Sequence, residues 1–143
     1  MKKLIPFSAV LVLSSTLHAE SLEEKKFWKD QTDYVNEKLA SANEQCSTKF
    51  SFDWVDKATL RDQTKKHGHS PNGVCGEIIA VVESICRSGD DGKQAVKAKI
   101  KGFTCGYAQP RALDLKGGIV KYMGNNEESN FNDWAQPWLE KHL

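Results

Sequence analysis

The sequence predicts an α+β domain: a small antiparallel sheet of about four strands, helices packed on one face, and disulfides as staples. Three observations carry this. Helical periodicity dominates both ends of residues 20–143. Short alternating segments follow one another in the C-terminal half, and consecutive strands joined by short links pair as antiparallel neighbours. Four cysteines, an even number, sit at Cys46, Cys75, Cys86 and Cys105.

The elements follow in order. Lys2 and Lys3 precede an apolar stretch from Leu4 to Leu13, and Ala19 closes a cleavage site before Glu20. This is the layout of a secretory signal peptide, although Leu17 is larger than the small residue preferred three positions before the cut. The apolar stretch is too short to span a bilayer. Residues 1–19 are therefore read as a signal peptide and 20–143 as one exported domain, periplasmic or secreted. The Lys-Lys start fits a bacterial export signal. No cysteine follows the cut, so no lipid anchor is expected.

Residues 22–45 read as an amphipathic helix with Trp28, Val35, Leu39, Ala42 and Cys46 on one stripe. Glu23 and Glu24 favour its start. Lys49 to Trp54 alternates, with Phe50, Phe52 and Trp54 on one face, as a half-buried strand does. Asp53 or Asp56 caps a short helix reaching about Lys65. His67 to Gly73 reads as a loop rich in glycine, proline and asparagine. Val74 to Cys86 reads as a buried helix with Cys75, Ile79, Val82 and Cys86 on one stripe. Ser88 to Gly92 reads as a second loop. Val96 to Lys101 alternates and reads as a strand, with Gly102 marking a bend. Gly106 to Pro110 reads as a connection. Arg111–Lys116 and Ile119–Met123 read as a hairpin turning at Lys116-Gly117-Gly118. Gly124 to Ser129 reads as a polar loop. A closing helix carries Phe131, Trp134, Ala135, Trp138 and Leu139, and Pro137 should kink it or split off its first turn.

Charge narrows the function classes. The chain has 20 basic and 19 acidic residues. Removing Lys2 and Lys3 leaves 18 against 19, a net charge near −1. A nucleic-acid binder carries a strong basic excess, so that class is disfavoured. No second apolar run is long enough for a membrane span.

In an exported chain, paired cysteines read first as disulfides. On a helix Cys75 and Cys86 lie roughly 16 Å apart, and a disulfide needs Cα atoms within about 7 Å. Two bridges from this helix to the segments before and after it remain. Cys46–Cys86 with Cys75–Cys105 is preferred, because a strand running back along the helix would carry Cys105 toward Cys75.

Several constellations are candidates for chemistry. Cys75 near a helix start could be a nucleophile with His67 or His69 as base; the competing reading is half of a disulfide. His67 and His69 could hold a metal with Asp62 or His142, but no ligand spacing supports it. Glu77 and Glu83 do not converge on a helix. Asp90 and Asp91 lack the spaced ligands of a calcium loop. No cofactor and no metal is expected. Lys97, Lys99 and Lys101 form a row on the expected strand, extended by Lys93, Lys116 and Lys121, and suit an anionic partner or a solvated face. Trp28, Trp54, Trp134 and Trp138 read as core rather than a sugar groove. The connection through Tyr107 and Arg111, rooted at Cys105, presents two residue types that anchor interfaces.

The expected function is that of an exported disulfide-containing binding protein, an inhibitor or immunity-type protein with a protein partner in the cell envelope. Tyr107, Arg111, Lys97, Lys99 and Lys101 are its expected partner-binding residues. The alternative is a small hydrolase using Cys75 with His67 or His69.

Overall fold

The computed structural model describes residues 20–143. The expected signal peptide, residues 1–19, lies outside the described residues. The order is α1 (Leu22–Cys46), β1 (Ser51–Trp54), α2 (Lys57–Lys66), α3 (Pro71–Arg87), α4 (Asp90–Lys99), β2 (Gly102–Tyr107), β3 (Ala112–Lys116), β4 (Ile119–Gly124) and α5 (Phe131–His142). The fold is α+β with one four-stranded sheet.

Local chemistry sets the helix ends. Ser21 accepts the Glu24 N–H at the start of α1, and Asp56 accepts the Thr59 N–H at the start of α2. Those Thr59 contacts hold the Asp56 carboxyl below its ordinary range. Ser70 accepts the Gly73 N–H, and Pro71 occupies the first turn of α3. The helix therefore starts three residues before the expected Val74.

The central helix is α3. It packs against α1, α4 and α5, and it touches β2 and β4. Val74, Ile78, Ile79 and Val82 on it are fully buried. Both disulfides converge on it. Cys46–Cys86 ties its far end to the end of α1, with Cα atoms 5.2 Å apart. Cys75–Cys105 ties its near end to β2, with Cα atoms 5.8 Å apart. This is the pairing preferred from the course of a strand running back along the helix. Closing loops of this size contributes roughly 3–4 kcal/mol per bridge on the chain-entropy account.

The sheet order is β1-β2-β4-β3. β1 pairs parallel with β2, β2 parallel with β4, and β3 antiparallel with β4. The sheet is thus mixed, where antiparallel pairing was expected. The hairpin forms as expected, with Gly117 and Gly118 at φ 60° and 82°, the left-handed pair that a two-residue turn demands. It docks on β2 through its second strand. Val120 and Tyr122 on β4 are fully buried and need neighbours on both sides. Ala112, Asp114 and Lys116 on β3 are exposed and suit an edge.

Two rows of side chains, Phe52–Phe103–Val120–Leu115 and Trp54–Cys105–Tyr122–Leu113, share the helix-covered face. The other face carries Asp53, Thr104, Lys121 and Asp114.

Three further expectations are corrected. Val96 to Lys99 belongs to helix α4, not a strand. Val96 and Ile100 are buried four residues apart, the spacing of one helix face. The acids Asp90 and Asp91 open that helix and Lys97 and Lys99 close it, as its dipole favours. The Ser88–Gly92 loop shrinks accordingly to Ser88 and Gly89. Strand β2 occupies Gly102–Tyr107, where a bend and a connection were expected. Finally, α5 runs unbroken through Pro137. Pro137 is exposed, and the carbonyl it leaves without an N–H partner belongs to Asp133, also exposed.

Candidate binding site

Three connections meet at the carboxyl ends of the parallel strands: residues 67–70, 108–111 and 125–130. Their bracing starts from Asn125, which is 2% exposed. Its amide donates to the Ala108 carbonyl at 2.7 Å and to Glu128 Oε2 at 2.8 Å. Its Oδ1 accepts the N–H groups of Glu127 and Glu128, the self-made turn that asparagine favours. This is the chemistry within the expected polar loop that composition alone did not single out.

Arg111 adds the second brace. Its backbone N–H donates to Glu128 Oε2 at 2.7 Å. Its guanidinium donates to the carbonyls of Glu128 and Ser129 and lies over the Trp134 ring. The Arg111 N–H and the Asn125 amide hold the Glu128 carboxyl below its ordinary range. The third brace is a contact between the His67 Nδ1 and the Glu127 carboxylate, which links the turn before α3 to the turn after β4.

Tyr107 ends β2 half-buried, packed on the core, and its hydroxyl donates to Gln109 Oε1 at 3.5 Å. Burial and the nearby Glu127 carboxylate push its phenol up. Tyr107 and Arg111 were expected at the exposed tip and exit of this connection. The structure instead makes both of them its supports, and Gln109 and Pro110 form the exposed tip.

The lysine row is also corrected. Lys97 and Lys99 project from a helix, where residues two apart do not share a face. Lys101 lies beyond that helix, next to β2.

The hydrolase reading meets a direct obstacle. The Cys75 sulfur is bonded to Cys105, and both cysteines are fully buried. No nucleophilic thiolate stands beside His67 or His69, and His67 is committed to Glu127. Among the described residues, no group of three or more His, Cys, Asp or Glu gathers to hold a metal ion. His142 lies apart, stacked on Trp138.

The tryptophans form no common groove. Trp28 contacts Trp54 beneath α1, and Trp134 sits with Tyr122 and Phe131 beneath α5.

Two groups near the braced end are imperfectly satisfied. The Tyr122 hydroxyl and Asn126 Oδ1 are buried without hydrogen-bond partners. Burial, with Glu77 adding to it, pushes the Tyr122 phenol strongly up. Glu77 itself is half-buried on α3, and desolvation raises its carboxyl against the opposing pull of Arg111. Beside the braced loops lies an open groove of about 420 Å³ lined by Phe27, Arg61, Lys65, His69 and Pro71.

Comparison with known proteins finds no matching family model, no similar curated protein and no similar solved structure. No helix among the described residues is long and apolar enough to cross a membrane.

Proposed function

We propose that this chain is an exported binding protein of the cell envelope, an inhibitor or immunity-type protein that engages an envelope enzyme. Its working surface is the braced loop end, with Gln109 and Pro110 foremost and the 125–130 turn beside them. The observation that carries the reading is the bracing itself. One short connection is rooted by a disulfide at Cys105, tied to Asn125 and clamped by Arg111 to Glu128, Ser129 and Trp134. A loop held in one shape loses little entropy on docking, which raises affinity without new contacts. Two buried disulfides suit an oxidising compartment, and the signal-like start suits export. Tyr107 and Arg111 contribute by holding the loop's shape.

The test is site-specific photocrosslinking in the native envelope from position 109, with position 36 on the exposed face of α1 as control. The expected result is an envelope enzyme crosslinked from 109 and absent from 36, whose activity falls when the purified chain is added. Equal crosslinking from both positions, or full enzyme activity at saturating chain, would remove this reading.

A further inference from the structure

We propose that the opposite end of the sheet is a docking surface for an anionic phospholipid bilayer. The parallel course of β1, β2 and β4 gathers their amino ends together. Lys49 stands two residues before β1, and Lys101 one residue before β2. Lys116 closes β3 opposite Ile119, the first residue of β4. The backbone joins these positions directly. The Ser51 N–H donates to the Lys101 carbonyl at 3.1 Å, and the Lys101 N–H to the Gly118 carbonyl at 2.7 Å. Lys97 and Lys99, in the last turn of α4, precede Lys101 closely in the chain but do not share a face, so the set is Lys49, Lys101 and Lys116.

All three lysines are exposed. None makes an ion pair among the described residues. Lys121 is left out of the set, because Asp114 faces it across the β3–β4 pair. Asp90 and Asp91 stand at the far end of α4, roughly 13 Å along the axis from Lys99. That exceeds the screening length of about 10 Å at 0.1 M salt. Residues 20–143 are close to neutral overall, so the lysines reflect segregation of charge rather than an excess of it.

The residue types select the occupant. Protein interfaces are depleted in lysine and enriched in arginine and aromatics. This end offers lysine without an exposed aromatic anchor: Phe50, between Lys49 and Ser51, is buried. Clustered lysines on an open surface are the pattern that anionic headgroups attract. Docked this way, the sheet would stand on the bilayer. At roughly 3.3 Å per residue, the loop end would project some 17–20 Å away from the membrane, free to meet a partner. The surface shares no residue with the loop end and stands or falls separately.

The test is co-sedimentation of residues 20–143 with vesicles of phosphatidylglycerol and phosphatidylethanolamine, and with vesicles of phosphatidylcholine alone. Binding is expected to the first at low salt, to fade as salt rises, and to be absent from the second. Each lysine lost should weaken binding about fivefold. The Lys49→Gln/Lys101→Gln/Lys116→Gln variant should therefore weaken it about a hundredfold with an unchanged melting temperature. A charge-matched control, Lys25→Gln/Lys26→Gln/Lys66→Gln, should lose less than about fivefold. Equal loss in the two variants would reduce the effect to net charge and overturn the proposal. So would equal binding to both vesicle types, no binding at low salt, or binding to soluble polyglutamate in place of vesicles.

Discussion

The Arg111 guanidinium lies over the Trp134 ring, 4.4 Å from its centroid, so the exit of the β2–β3 connection is clamped to α5. The same guanidinium donates to the Glu128 and Ser129 carbonyls. One side chain thereby joins its own connection to two segments that lie 17 or more residues onward.

Arg111→Ala removes the cation–π contact and leaves the Glu128 and Ser129 carbonyls short of a partner, while the backbone N–H of residue 111 still holds the Glu128 carboxylate. The expected cost is about 1–3 kcal/mol. Arg111→Lys should recover less than half of it, because a single ammonium cannot reproduce the planar fork. Chemical unfolding of both variants measures this. An unchanged midpoint for Arg111→Ala would return Arg111 to the role of a free surface anchor.

The disulfides are expected to divide their effects. Cys75→Ala/Cys105→Ala and Cys46→Ala/Cys86→Ala should each cost about 2–5 kcal/mol. Only the first pair roots the connection through Ala108–Arg111. Amide hydrogen exchange in 108–111 and 125–129 should therefore accelerate in the first variant beyond the global change. In the second it should follow global stability alone. The same acceleration in both would mean that the loop depends on overall stability rather than on its own root.

These relationships were legible to different depths in the sequence. α1 and α3 carry long apolar stripes, and Gly117-Gly118 states its turn, so both helices and the hairpin could be read. Cys75 and Cys86 lie too far apart on α3 to bond, which left the observed pairing among the remaining choices. α4 was hidden because Val96, Ala98 and Ile100 alternate like a strand, while Val96 and Ile100 alone fit a helix. The deciding signal was the charge order, acids at Asp90 and Asp91 and bases at Lys97 and Lys99. β2 was hidden by its glycines. A Cβ at Gly106 would meet Met123 and the Val55 carbonyl, and one at Gly102 would overlap Ser51. Those neighbours come from segments distant in the chain, so the reason for each glycine is not local. The braced connection could be located through Cys105. The role of Arg111 could not, because its partners lie 17 and more residues onward.

Glu77 should make stability depend on pH in the direction opposite to most carboxylates. Burial raises its carboxyl above the ordinary 4.5. The folded chain then holds this proton more tightly than the unfolded chain does. Its contribution is therefore most favourable below 4.5 and is lost as pH climbs through the raised folded value. At neutral pH Glu77→Gln should raise stability by a few tenths of a kcal/mol, an effect limited by solvent screening. The gain should vanish in acid. Melting curves of both proteins across pH 3–8 test the sign. A Glu77→Gln variant that is less stable at neutral pH would show that the carboxylate has a favourable partner.

Tyr122 and Gly124 form the tightest steric pair at the loop end. A Cβ on Gly124 would overlap the ring and hydroxyl of Tyr122, and Tyr122 is fully buried against Phe131. Gly124→Ala should therefore cost about 2–3 kcal/mol, in the range of overpacked cores. Tyr122→Phe should be neutral or slightly stabilising, since its hydroxyl is buried without a partner and its removal ends that penalty. Phenylalanine keeps the ring, so it should not rescue Gly124→Ala. Tyr122→Leu should cost about 2–4 kcal/mol alone. In that background Gly124→Ala should cost at least about 1 kcal/mol less than in the native chain, a coupling typical of residues in contact. Additive costs in this double-mutant cycle would mean that the added methyl is accommodated elsewhere and that the ring does not dictate glycine at position 124.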